Sequence, residues 1–333
     1  MLDKQRTSTS RSKWDDRIGR RLKLRDLHVL LTVAELGSMG KAAERLGVSQ
    51  PLVSKAIADI EHAVGVRLLD RTLHGVETTH YGRVLLRSGL GAFDELRQCI
   101  KDITFLTDPM VGEVRVGCPE AVSAGLLSAV IDRFSRQFPR VGVNVTAADN
   151  MSREFRQLRD REVDFLLGRV SEPFREDDLI AEILYHDRMF IVAGRESEWG
   201  RRRRIKLSEL SRAKWILPPS MFDSIYSDLF KPCGLPLPNI SVRGYSTHQM
   251  INLLASGHFV SAMSGSMLRF NADRRSLKLL PIDAATQAWP VAMVTLKYRS
   301  INPIVQSFMQ CVRDVAKPLA KRGKCPARRP SNA

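Results

Sequence analysis

Near residue 50, four side chains have the types and spacing needed to read a nucleic-acid duplex. In the run Ser49-Gln50-Pro51-Leu52-Val53-Ser54-Lys55, the apolar Val53 is followed by Ile57 and Ile60 at helical intervals, which turns Gln50, Ser54, Lys55 and Asp59 toward solvent. Short polar and basic side chains on such a face reach base edges in a major groove, while Ser49 and the N–H groups at the helix start can hold a phosphate. A plain three-helix bundle with a solvated face would show the same spacing, so both readings stay open on these residues alone.

Other chemistry finds less support. The seven histidines (His28, His62, His74, His80, His186, His248, His258) contain no HExxH and no closely spaced metal pair, and neither GxSxG nor a P-loop occurs. Cys99, Cys118, Cys233, Cys311 and Cys325 form an odd set without a CxxC pair, so reduced thiols are expected rather than a disulfide framework or a thiolate metal site. Gly89 and Gly91 fall inside an amphipathic pattern and make no dinucleotide fingerprint. We therefore predict no catalytic residue, metal or cofactor. An α/β enzyme with the N-terminal helices as an accessory is the competing class, and a thiol redox sensor using Cys233 is a further alternative.

The elements that position the residue-50 face are legible around it. Leu24, Leu27, Leu30, Leu31, Ala34 and Leu36 recur at three- and four-residue spacing, predicting a helix that ends at Gly37. Ser38 can cap a second helix whose inner face is Ala42, Ala43 and Leu46 and whose stop is Gly47. The third starts at an Ser49 N-cap, tolerates Pro51 in its first turn and runs to Gly65. Two helices joined through Gly47-Val48-Ser49 suggest a helix-turn-helix. Val66 to Leu69 and the segment around Thr78-Thr79 are expected to pair as a wing turning at Leu73-His74-Gly75, with Arg71 near its tip, set either against DNA or in a surface ion pair with Asp70 or Glu77. From Tyr81 to Leu106 one long helix is predicted. Its apolar Leu86, Leu90, Phe93, Ile100 and Ile103 suggest a dimerisation seam, and Gly89 and Gly91 a bend or a close helix approach.

Thr107-Asp108-Pro109 marks a boundary, after which strand and helix patterns alternate. Strands are expected at Val114 to Val116, Val141 to Thr146, Asp164 to Leu167, Phe190 to Ala193, Trp215 to Leu217, Phe259 to Ser261 and Val291 to Leu296. Helices are expected at Leu126 to Phe138, Ser152 to Asp160 and Pro303 to Val315. This order implies an α/β domain with a mostly parallel sheet. Its ligand would lie where strand ends meet helix starts.

A chain of 333 residues suits about two domains. Hydrophobic residues make up 44% and charged residues 26%, too apolar for a largely disordered chain and ordinary for a folded one. No apolar run approaches the roughly 18 residues of a membrane span, and the first twenty residues lack the apolar core of a secretory signal, so a cytoplasmic protein is expected. The net charge of +16 favours polyanionic partners. Much of the surplus lies in Arg201 to Arg204 and beyond Lys317, whereas eight basic residues nearly cancel seven acidic ones between Arg21 and His80. Charge alone would not locate a DNA site.

The stretch Leu24 to Gly82, above all AAERLGVSQPLVSKAIADIE and GVRLLDRTLHGVETT, resembles the LysR-type transcriptional regulators. It departs from their pattern at Met39 and Leu69, where Phe is usual, and at Glu77-Thr78-Thr79, where a hydrophobic residue usually precedes Thr. The resemblance implies a flexible basic arm (1–20), an all-α-dominated winged helix-turn-helix (21–80), a linker helix (81–108), a two-lobed α/β effector domain like periplasmic binding proteins (109–316) and a basic tail (317–333). Lobe one would take 112–191 and 289–315, and lobe two 192–288. It implies DNA contact by Ser38, Ser49, Gln50, Pro51, Ser54, Lys55 and Arg71. For the effector cleft it implies Glu120, Ser123, Asn150, Ser152, Arg169, Ser220, Phe222 and Thr247. Hydroxyls and N–H groups at helix starts, with Arg169, favour a small organic anion. Glu120 argues against one, and a solvated surface carboxylate is its expected role. The implied partners are double-stranded promoter DNA, a small-molecule effector, further copies of the chain as a homodimer or homotetramer, and RNA polymerase, with no membrane partner.

Overall fold

The computed structural model describes residues 21–72, 75–148, 151–244, 246–270, 276–282 and 286–322. They divide into two compact units, Met1–Arg97 and Gln98–Ala333. The expected basic arm and the wing tip at Leu73-His74 lie outside the described residues. Among the described residues, no helix is long and apolar enough to cross a membrane.

The first unit is a helical head. Helices α1 (Leu24–Leu36), α2 (Met39–Leu46) and α3 (Gln50–Val64) pack Leu27, Leu30, Val33, Ala42, Val53, Ile57 and Ile60 into one core. Ser38 caps α2 by accepting from Lys41 N at 3.4 Å. Gly37, Gly47 and Gly65 close the three helices in the left-handed conformation, which leaves tight turns between them. Met39 and Leu69, the two departures from Phe, still join this core, Leu69 fully and Met39 at its edge.

The wing is the antiparallel pair β1 (Leu69–Thr72) and β2 (Gly75–Thr78), with Leu69 opposite Thr78 and Arg71 opposite Val76. It starts later than the expected Val66. Glu61 of α3 is the reason: its Oε1 accepts from Leu68 N at 2.7 Å and from Leu69 N at 3.2 Å, so those N–H groups tie the chain to the helix before the ladder begins. Helix α4 (His80–Thr107) opens with Thr79, whose hydroxyl accepts from Gly82 N at 3.0 Å. A Cβ at Gly89 would stand 2.9 Å from Leu27 Cδ1, so this glycine marks a close approach of helices.

The second unit is built on nine described strands in the order β4-β3-β5-β11-β6-β9-β7-β8, with β10 also on β6. These are β3 (Val111–Cys118), β4 (Arg140–Ala147), β5 (Phe165–Arg169), β6 (Leu179–Gly194), β7 (Trp215–Leu217), β8 (Ile240–Arg243), β9 (Val260–Ser264), β10 (Leu277–Leu279) and β11 (Ala288–Leu296). The sheet is mixed, not mostly parallel. The outer pairs β3-β4, β3-β5, β7-β8 and β7-β9 are parallel, but β11 runs antiparallel to β5 and β6, and β6 antiparallel to β9 and β10.

The central strand β6 has 16 residues, where the sequence pattern suggested only Phe190 to Ala193. Its first part, Leu179 to Arg188, pairs with β11, and its second part, Met189 to Ala193, pairs with β9. One strand thus belongs to both lobes. Helices α5 (Ser128–Gln137), reached through a turn at Glu120–Val122 and a π-helical Ser123–Leu127, and α6 (Met151–Arg159) flank the first lobe. Helices α7 (Thr247–Ala255) and α8 (Gly265–Phe270) flank the second. The final helix α9 (Pro303–Arg322) extends beyond the expected Val315, because Val312, Ala316 and Leu319 continue its apolar stripe onto the core.

Replacing Glu61 by Ala strands two N–H groups at the joint between α3 and the wing. The expected loss is about 2 kcal/mol, measured as a lowered urea midpoint of the purified protein. An unchanged midpoint would mean that water replaces the carboxylate at no cost.

Candidate functional site

Two surfaces carry the candidate chemistry, one in each unit. On the head, Ser49, Gln50, Pro51 and Lys55 are exposed while Val53, Ile57 and Ile60 of the same helix are buried. Ser49 occupies the N-cap position of α3, yet its side chain makes no cap hydrogen bond. Its exposed hydroxyl is left available, but the first turn offers little else to an anion: Pro51 has no N–H, and those of Leu52 and Val53 donate to Ser49 O at 3.0 and 3.2 Å. Ser54 is half-buried and donates to Met39 Sδ at 3.4 Å, so it faces its own neighbour more than solvent. Ser38 is half-buried and engaged in its capping role. Arg71 is exposed on β1.

The five residues expected to form one apolar seam along α4 are divided. Leu86 and Phe93, with Leu85, pack against the core of the head, and the Phe93 ring lies 5.8 Å from that of His28. Leu90 is half-buried. Ile100 and Ile103 remain exposed at 64% and 58%, and other apolar residues join them in exposure: Tyr81, Val84, Leu96 and Leu106. A single helix wheel could not separate these sets, because both follow three- and four-residue spacing.

In the second unit, a cavity of about 390 Å³ opens where β6 passes between lobes. Val122, Val170, Met189, Met250, Met267 and Trp289 supply apolar wall, and Glu120, Arg169 and Asp187 supply charge. Glu120 Oε1 accepts from Thr247 N at 2.6 Å, joining the end of β3 to the start of α7. Asp187 is buried and accepts from Ser266 Oγ at 2.6 Å and from Arg188 N at 2.9 Å. Both carboxylates thus satisfy orphan donors at helix starts. Arg169, at the end of β5, donates to Met189 Sδ at 2.7 Å. Burial pushes its guanidinium below the ordinary value, and the Asp187 and Asp228 carboxylates pull the other way. Asp228 also accepts from Trp289 Nε1 at 3.4 Å.

Of the effector residues suggested by resemblance, the structure brings Glu120, Arg169 and Thr247 together on this cavity. Glu120 is not the solvated surface carboxylate expected of it. It is half-buried and holds a backbone N–H, because the start of α7 lies directly opposite. Ser123 and Phe222 are not part of the lining: Ser123 lies in the π-helical turn, where its carbonyl accepts from Ser128 Oγ at 2.7 Å, and Phe222 packs on the second-lobe core beneath the Arg243 guanidinium. Asn150 lies outside the described residues. Ser152 belongs to α6 and Ser220 to the 3-10 turn Pro219–Met221. Sequence reasoning missed Asp187, Ser264, Ser266, Met189 and Trp289. A long antiparallel β6 returning beside β11 was the missing signal, since it brings positions a hundred residues apart to one point.

Comparison with known proteins adds an independent line. Residues 24–83 match the bacterial regulatory helix-turn-helix protein of the lysR family, and residues 107–317 match the LysR substrate binding domain. The chain is similar to the HTH-type transcriptional regulator TdcA of Escherichia coli, 30% identical over 248 residues that cover 74% of this chain and 78% of that protein. It is also similar to the regulator GalR of Pseudomonas putida, 28% identical over 295 residues, covering 87% and 73% respectively. The fold resembles that of CbnR, a LysR family transcriptional regulator, with a TM-score of 0.58 at 21% identity over 89% of this chain and 99% of that one. CbnR in complex with its target DNA gives the same TM-score of 0.58.

Beside the cavity, Tyr185 is buried and its hydroxyl has no hydrogen-bond partner among the described residues. Burial and then the nearby Asp187 carboxylate raise its pKa above the ordinary 10.0, against the opposing influence of Ser266 and the Arg169 guanidinium. The folded state therefore holds this proton more tightly than the unfolded chain, so stability is intact below pH 10 and falls as pH rises beyond it. Tyr185→Phe is expected to leave the thermal midpoint at pH 7 unchanged or raised, and to make the alkaline loss of stability shallower. A midpoint that drops at pH 7 would show that the phenol has a partner in solution.

Proposed function

Because the chain belongs to the LysR family of bacterial DNA-binding transcriptional regulators, with both the helix-turn-helix and the effector-binding domain of that family, we propose that it binds promoter DNA as a homodimer under the control of a small molecule carrying an anionic group. The observation that carries the DNA half of this reading is the division of α3 into a buried Val53, Ile57, Ile60 side and an exposed Ser49, Gln50, Lys55 side. Gln50 and Lys55 are the base-reading and backbone-reading candidates, Ser49 with its free hydroxyl meets a phosphate, and Arg71 extends the contact from the wing. Pro51 fixes the first turn that presents them.

One such helix buries too little surface for specific affinity. Two heads joined in one molecule gain through effective concentration and read half-sites at a set spacing. The exposed Leu96, Ile100, Ile103 and Leu106 of α4 are the surface that favours such pairing. The effector reaches the cleft between the lobes, where Arg169 pairs its anionic group. A ligand there changes DNA binding only by favouring one arrangement of the domains over another. Arg169, rather than a helix start, takes the anion, because Glu120 and Asp187 already occupy the starts of α7 and α8.

Titration of the full-length protein against DNA from upstream of its own coding region tests the reading. Gln50→Ala should weaken the cognate site by about 1–3 kcal/mol while leaving an unrelated duplex nearly unaffected. Equal loss on both duplexes would reassign Gln50 to backbone contact, and no protected sequence at any ionic strength would end the regulatory reading. For pairing, Leu96→Lys with Ile103→Lys should lower the mass seen by light scattering, whereas Phe93→Lys should unfold the head. For the effector, a thermal-shift screen of metabolites should yield an anion that stabilises the protein and alters its DNA affinity, with both effects lost in Arg169→Gln. A screen in which every hit survives that substitution would move the ligand elsewhere.

A further inference from the structure

We infer that the cleft selects a zwitterion: an α-amino acid with an apolar side chain, its carboxylate on Arg169 and its ammonium on Glu120. The inference rests on the reading of the cleft as the effector site and names the class of molecule that fits it. Its basis is the hydrogen-bonding capacity left over in the lining. Asp187 is fully engaged: Oδ1 accepts from Arg188 N at 2.9 Å, and Oδ2 from Ser266 Oγ at 2.6 Å, with Ser266 N at 3.3 Å from each oxygen. Glu120 is engaged at one oxygen only. Thr247 N donates to Oε1 at 2.6 Å, and among the described residues Oε2 receives no hydrogen bond. Arg169 is in the converse position. Its one hydrogen bond among the described residues goes to the thioether of Met189, a weak acceptor, and the guanidinium keeps its other donors.

These two unfinished groups face a cavity walled by methionine, valine and an indole, where an unpaired charge is costly. A plain amine would leave the spare Arg169 donors without an oxygen acceptor, the Asp187 and Asp228 carboxylates acting on its charge only through space. A plain carboxylate would satisfy Arg169 but add negative charge to a lining that already holds two carboxylates and one guanidinium, and would leave Glu120 Oε2 against an apolar body. A dicarboxylate would add more. A molecule carrying both charges completes both groups and leaves the net charge of the site unchanged. The apolar remainder then lies against Met250, Met267 and Trp289. The volume of about 390 Å³ falls within the range of about 300–1,000 Å³ typical of small-ligand sites. Because Glu120 also holds Thr247 of the opposite lobe, an ammonium drawn to it acts at the joint between the lobes.

Calorimetric titration of the full-length protein with matched triads tests this inference: L-phenylalanine, 2-phenylethylamine and 3-phenylpropionate, and likewise L-leucine, 3-methylbutylamine and 4-methylpentanoate. In at least one triad the amino acid should bind, with the amine and the carboxylate weaker by about tenfold or more. Glu120→Gln should weaken the amino acid by a similar factor and leave the carboxylate unchanged or tighter. Arg169→Lys should weaken the amino acid and the carboxylate together. Circular dichroism and thermal unfolding establish that each variant is folded, and the triad comparison uses unaltered protein, so it stands even where a variant fails. A carboxylate that binds as tightly as its amino acid, or an amino acid indifferent to Glu120→Gln, overturns the zwitterion and leaves a plain anion site. Silence from both triads also overturns it, whereas the effector reading itself falls only with the metabolite screen and Arg169→Gln.

Discussion

The effector unit depends on a single strand that cannot belong to one lobe. Leu179 to Arg188 completes the ladder of β11, and the residues that follow complete the ladder of β9. Backbone hydrogen bonds on both sides hold β6 across the gap between lobes, so Tyr185 sits in the core of the first lobe, Met189 in that of the second, and Asp187 between them. Two further groups of the cleft are tied to this point: Ser266 through its bonds to Asp187, and Arg169 through Met189 and the field of Asp187.

The polar groups of the cleft do double duty. Glu120 and Asp187 satisfy N–H groups that any helix start leaves unpaired, which is a structural task. That task occupies the Thr247 and Ser266 N–H groups at the starts of α7 and α8. The hydrogen bonds of both carboxylates in the site are thus accounted for in part by capping. Burial disfavours the charge of Arg169, nearby carboxylates restore part of it, and its nearest acceptor is a sulfur.

The head solves a simpler problem. Its three short helices share one apolar core, and tight glycine turns leave no slack between α2 and α3, so the hydrophilic edge of α3 has only one orientation available. Glu61 then ties the same helix to the wing, which couples the two elements that bear Gln50 and Arg71. Helix α4 spends Leu85, Leu86 and Phe93 on this core and leaves Leu96, Ile100 and Ile103 uncovered. The helix is thus both a wall of the head and a free surface.

Local information was enough for the helical head, because periodicity, caps and turn glycines act over a few residues and each points the same way. The bounds of α1 to α3, the buried side of α3 and the class of the second unit could all be read before any coordinates. Long-range pairing was beyond that reach. Whether Leu86 meets another chain or its own core, whether Glu120 faces water or Thr247, and whether β6 runs parallel or antiparallel to its neighbours are decided by residues far away in the chain. Single-residue chemistry carries no record of its partner across 127 positions, as the Glu120 bond to Thr247 shows. By itself the sequence determined which elements form and which of their faces are apolar. Only the tertiary structure decided which charges remain unpaired, since that is a difference between donors and acceptors brought together from separate lobes.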